Sequence, residues 1–147
     1  MSAENDELLP VLASLKARVV PRFVAIGLQL DWRHDNTLHP SLQVAPHVTL
    51  QVLRIMQEAL ANVLKHARAS VVSVHVYMLR DMLNILIKDD GVGMPDTRCA
   101  VGHGVANMHT RAGKIGASLE VSADGSGTTV FLSVPIPPYN PPRYTQV

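Results

Sequence analysis

Cysteine occurs once in these 147 residues, at Cys99, so no internal disulfide can staple the fold. A lone thiol fits a reducing compartment. Aromatic side chains make up only 4% of the chain, too few for the stacking platforms that hold single-stranded nucleic acid. Charge is sparse and balanced, with 13 Lys and Arg against 12 Asp and Glu, and a net charge of +1 leaves no electrostatic footprint for nucleic acid. No run approaches the ~18 apolar residues of a membrane-spanning helix. The opening MSAENDELLP is acidic and polar, unlike a secretory signal. Internal repeats and low-complexity blocks are also missing. Hydrophobic residues at 47% and charged residues at 17% indicate one globular domain with a real core.

Periodicity divides the chain. Leu8, Leu9, Leu12, Leu15 and Val19 predict an amphipathic helix, with Pro21 near its end. Ala25–Trp32 alternates loosely and reads as a strand, and Asn36–Pro46 as a loop. Leu50, Leu53, Met56, Leu60, Val63 and Leu64 recur at helical spacing, predicting a long helix from Pro46 to His66. Val72, Val74 and Val76 alternate with polar residues, Arg80-Asp81 suits a hairpin turn, and Met82–Lys88 reads as a more buried strand. A glycine-bearing loop over Asp89–Gly104 leads to a short helix, Val105–Ile115, with Gly116 just beyond it. Ser118–Ser122 and Thr128–Val134 form a last strand pair. Helices are too few to cover both faces of a parallel sheet. The order therefore predicts an α+β sandwich, its mixed sheet covered by helices on one face.

Four polar motifs interrupt this apolar pattern. The long helix carries Glu58, Asn62, Lys65 and His66 as a stripe, with Glu58 and Asn62 one turn apart. Such a stripe suits a triphosphate and its metal: a carboxylate to orient water or take a proton, an amide oxygen for magnesium, an amine against phosphate charge. A solvated helix face gives the same letters. Asp89-Asp90-Gly91-Val92-Gly93 follows a buried strand. Asp89 there can accept a hydrogen bond from an exocyclic amine such as that of adenine, while Gly91 and Gly93 let backbone pass beneath the base. An ordinary Asp-Gly turn is the alternative. Gly102-His103-Gly104 opens a helix, where freed amides can hold phosphate, although a flexible hinge reads identically. Gly125-Ser126-Gly127-Thr128-Thr129 turns into the final strand, where a Thr hydroxyl can reach a base edge or simply follow a Gly-rich hairpin. Neither a Walker loop nor a dinucleotide fingerprint is present, and no histidine pair has a zinc site's spacing.

Taken together, ExxxNxxKH on a helix, DxGxG after a strand, GxG opening a helix and GTT entering a strand resemble the ATP-binding catalytic domain of bacterial sensor histidine kinases. That superfamily is shared with gyrase, MutL and the large heat-shock chaperone. RIMQEALANVLKHARAS and GHGVANMHTRA resemble its nitrate/nitrite-sensor subfamily in particular. The resemblance implies a two-layer α/β sandwich of the Bergerat ATPase type. It implies a leading helix over 1–24, the ATP-binding domain over 25–137 and a Pro-rich tail over 138–147. It further implies ATP and Mg²⁺ as ligands. Asn62 would hold the metal and Glu58 would orient water or assist proton transfer. Lys65 and His66 would lie near the phosphates, and Asp89, Gly91, Gly93 and Thr128 would hold adenine. Gly102, His103 and Gly104 would close over the phosphates, with a short lid over Pro95–Val101. Asp90 is expected to face solvent or link through water.

A phosphoacceptor is the piece not found. Of the seven histidines only His34 precedes an acid, and its segment is not a long helix. The expected partners are therefore ATP, a dimerisation domain supplying the acceptor histidine and, indirectly, a response regulator. Nucleic acid and membrane contact are not expected. The expected location is cytoplasmic, with the parent kinase anchored in the inner membrane. The rival readings keep the fold: a stand-alone anti-sigma-type serine kinase, or a nucleotide-binding module without catalysis.

Overall fold

The computed structural model describes residues 6–66, 68–91 and 104–137. Its two layers are a five-stranded mixed sheet and three helices, α1 (Leu8–Ala25), α2 (Pro46–His66) and α3 (Gly104–Lys114). The strands are β2 (Gln29–His34), β4 (Val71–Leu79), β5 (Met82–Asp89), β6 (Ser118–Asp124) and β7 (Gly127–Pro135), in the order β2-β4-β5-β7-β6. Only β2 and β4 run parallel, with α2 inside the connection between them. Beside this sheet, β1 (Asp6–Glu7) and β3 (Gln43–Val44) form a two-stranded antiparallel ladder.

Alternation in the strands decides which face the helices cover. Val74, Ile87 and Val130 lie side by side across β4, β5 and β7, as do Val76, Ile85 and Leu132. These rows are buried in one core with Leu8, Leu12, Leu15, Val19 and Phe23 of α1 and Val52, Ile55, Met56, Ala59, Leu60 and Val63 of α2. Each large aliphatic or aromatic side chain buried this way contributes roughly 1.5–3 kcal/mol. The other face carries Ser73, His75 and Tyr77, none of them fully buried.

The expected sandwich, the long helix and both hairpins are present. Some details differ from the sequence reading. Helix α1 runs through Pro21, near its end as expected, to Ala25, where wholly buried Phe23 holds the last turn to the core. It ends where Gly27, at φ +75°, lets the Leu28 amide reach the Phe23 carbonyl and its own amide reach Val24. The strand expected over Ala25–Trp32 consequently begins at Gln29. The loop expected over Asn36–Pro46 contains β3. Leu50, counted in the apolar stripe of α2, is 49% exposed, and Val52 and Ile55 take the core positions instead. Gly116, at φ +65°, closes α3 as Gly27 closes α1: the Ala117 amide bonds the Ala112 carbonyl.

Candidate nucleotide site

Strand β5, the middle strand of the sheet, ends in Asp89, which has only 3% of its surface exposed. Its Oδ1 accepts the Gly91 amide at 2.9 Å and, more weakly, the Thr128 amide at 3.4 Å. Both of these bonds fall on Oδ1, so one oxygen of the carboxylate ties the strand end to the Gly91 and Thr128 amides. Gly127 explains how the final turn comes this close. At φ +138° it lies against the backbone carbonyl of Asp89, where a Cβ would overlap the oxygen. The turn is itself latched by Asp124, whose Oδ1 accepts the Ser126 amide at 2.7 Å and its hydroxyl at 2.6 Å. The Ser126 hydroxyl, then its amide, hold the Asp124 carboxyl below its ordinary pKa.

Asp90 faces solvent as expected, and its carboxylate also links to backbone. Its Oδ1 accepts the amides of Ser70 at 2.8 Å and Val71 at 2.9 Å. The Val71 amide, then that of Ser70, lower its pKa. This clamp ties the chain leaving α2 to the strand end that bears Asp89.

On α2, Glu58 and Asn62 are half-buried and Lys65 is exposed, while His66 is the helix's last residue. Glu58 turns its carboxylate onto Gly104, the first described residue of α3, so closely that a Cβ there would overlap Oε1. A carboxylate at a helix N-terminus is favoured by the helix dipole. The glycine therefore lets α3 begin directly on the acid.

The described parts of the four motifs make two close contacts, one on α2 and one at the end of β5. Asn62 sits about one turn, some 6 Å, before the end of α2. The chain then enters β4 at Val71, beside Asp90. Glu58 meets Gly104, and Asp89 meets Gly127 and Thr128. Gly93, Gly102, His103 and the expected lid lie outside the described residues. Gly127 and Asp90 were absent from the expected site. The GTT motif carried a signal for the first; nothing local marked the second, whose partners are 19 and 20 residues away.

The donor set also fits Mg²⁺ in the way a nucleotide-borne ion requires. Among the described residues no three His, Cys, Asp or Glu side chains cluster as an all-protein cage. Instead Asn62 and Glu58 present an amide and a carboxylate one turn apart. Magnesium coordinated mostly by phosphate and water takes one or two such oxygens.

A two-layer sandwich with an acid and a glycine turn at a strand end and a carboxylate under a helix N-terminus is the architecture of a nucleotide-binding domain of the ATPase kind. The chain belongs to the histidine kinase-, DNA gyrase B-, and HSP90-like ATPase family, whose model matches residues 47–138. It is 38% identical over 106 residues to the signal transduction histidine-protein kinase/phosphatase UhpB of Salmonella typhimurium, covering 72% of this chain and 20% of that one. With DegS of Brevibacillus brevis it shares 30% identity over 130 residues, or 87% of this chain and 33% of the relative. The histidine kinase domain of the Erythrobacter litoralis EL346 blue-light activated kinase superposes with a TM-score of 0.73 at 25% identity, covering 92% of this chain and 65% of that one. The chain thus spans a fifth to a third of the two curated relatives.

Proposed function

We propose that the domain binds Mg-ATP and donates its γ-phosphoryl group to a histidine on a separate dimerisation domain of a two-component sensor kinase. Asp89 Oδ2 accepts the adenine amine, Gly91 and Gly93 pass beneath the base, and Thr128 supports its edge. Asn62 holds the metal, which offsets phosphate charge. Lys65, His66, Gly102, His103 and Gly104 surround the phosphates. Glu58 orients water or assists proton transfer from the acceptor. The acceptor nitrogen attacks the γ-phosphorus, the bond to the β–γ bridging oxygen breaks, and ADP leaves. Positioning and charge neutralisation carry most of such a reaction. The response regulator acts downstream. No described helix is long and apolar enough to cross a membrane, so in this proposal the inner-membrane anchor belongs to other parts of the parent kinase.

The observation that supports this reading is the pair of contacts, Glu58 on Gly104 and Asp89 with Gly127 and Thr128, in a domain that matches the ATPase family. Isothermal titration with ATP, with and without magnesium, tests it. Asp89→Ala removes a ligand-facing acceptor and is expected to weaken binding in both conditions by roughly 5- to 150-fold, the equivalent of about 1–3 kcal/mol. Asn62→Asp should alter only the magnesium-dependent part. Unchanged affinity in both variants refutes the assignment.

A further inference from the structure

We infer that Gln51 and Arg111 are positioning residues for the phosphate end of the nucleotide site. Arg111 Nη1 donates to Gln51 Oε1 at 3.1 Å, joining α2 to α3 across 60 residues of sequence. Both side chains are half-buried, and neither is among those expected at the site. Their spacing assigns the role. Gln51 lies seven residues before Glu58 on α2, and Arg111 lies seven residues after Gly104 on α3. Seven residues are about two turns, so each pair shares one face of its helix. Glu58 meets Gly104 and Gln51 meets Arg111, so the two helices run antiparallel and are joined by two rungs. On either helix the rungs stand about 10 Å apart along the axis.

Within that span Ile55 of α2 and Met108 of α3 are each 1% exposed and belong to the common core. Apolar burial holds the helices together but is non-directional, and it leaves small slides and rotations of α3 open. The near rung cannot prevent them. It sets a flexible carboxylate against a glycine, which has no side chain to grip. The far rung is a directional hydrogen bond, and it sets the register of α3 on α2. Register matters because α3 begins on Glu58. Arg111 also stands in the last turn of α3, where its charge suits the helix dipole, a separate effect that the variants below resolve. The consequence for bound phosphate rests on the nucleotide reading above, whereas the coupling of the two rungs is a property of the fold alone.

Amide spectra of the isotopically labelled 147-residue chain test the coupling. Glu58→Gln should shift the Gly104 resonance in the parent, and should shift it clearly less in a Gln51→Ala background. Calorimetry in Mg²⁺ tests the consequence, with ATP and AMP as probes. Both carry the base assigned to Asp89, but only ATP carries the outer phosphates assigned to the start of α3. Gln51→Ala and Arg111→Lys should each weaken ATP about fivefold or more, from loosened hydrogen bonds to charged phosphate, and leave AMP within about twofold. Arg111→Lys keeps the charge in the last turn of α3 but loses the planar guanidinium. Gln51→Glu keeps an acceptor for Arg111 and should bind both nucleotides as the parent does. If the arginine only stabilises its own helix, Gln51→Ala changes nothing. If the variants only loosen the fold, ATP and AMP weaken alike. Either result overturns the proposal. An undiminished Glu58→Gln shift in the Gln51→Ala background overturns it whether or not nucleotide binds. A parent chain that binds neither nucleotide sinks the nucleotide reading and this role with it, and that failure is recognised by lying in the parent itself.

Discussion

Gly127→Ala is the sharpest probe of how the site is assembled. At φ +138° a residue with a Cβ is strained by about 1–3 kcal/mol. The added methyl would also overlap the Asp89 carbonyl oxygen, which is backbone and cannot swing aside as a side chain would. Either the turn or the end of β5 must move, adding about 1–3 kcal/mol of overpacking. The total of roughly 2–6 kcal/mol is a large part of a domain's usual stability of about 5–15 kcal/mol. Thermal unfolding should therefore shift down by on the order of 10 °C. Gly125→Ala in the same turn is the control: a Cβ there meets nothing within 4 Å, so its change should stay within about 0.5 kcal/mol. Urea unfolding of both variants gives the comparison, and ATP titration well below the transition reports on Asp89. If Gly127→Ala is as stable as Gly125→Ala, the close approach argued above does not exist. If it is destabilised but binds ATP as tightly as the parent, Asp89 is not positioned by this turn.

Gly104→Ala presses on a movable carboxylate instead of backbone. It should cost little stability but displace Glu58 and reduce phosphoryl transfer to a supplied acceptor domain; an unchanged rate would disprove the contact's importance. Asp90→Asn should speed amide exchange at Ser70 and Val71 at neutral pH. Because the folded carboxyl has the lower pKa, its contribution is present above about 4, the ordinary Asp value, and is lost as pH falls through the depressed folded value. The difference between parent and variant should thus vanish in strong acid, and a gap that persists there would refute the clamp's charge dependence. Gly113→Ala, exposed within α3 and with nothing within 4 Å of the added methyl, should stabilise by about 0.5–1 kcal/mol in urea unfolding; a loss would mean that the helix end is strained there.

The long helix and the hairpins were legible because their signals are local. Val72, Val74 and Val76 alternate over consecutive positions, and Met56, Leu60 and Val63 repeat within two turns. The strand start read at Ala25 falls inside α1 and its closing turn, because burying Phe23 is a tertiary gain that periodicity alone does not weigh. The β1–β3 ladder pairs Glu7 with Gln43, and a pairing of two residues across that separation leaves no pattern in either strand. In the site, Glu58, Asn62, Asp89 and Thr128 stood out through motif spacing. Asp90's clamp and Gly127's intolerance of a side chain depend on which backbone comes to lie alongside. Only the folded chain reveals that.

The small β1–β3 ladder has a mechanical implication. Asp6–Glu7 is zipped to Gln43–Val44, and the Leu8 amide is hooked to the Leu42 carbonyl at 2.9 Å. Two residues after β3 the long helix begins at Pro46. A twist or tug on the leading strand is therefore delivered to the base of the lever that carries Glu58 and Asn62, without travelling through the sheet.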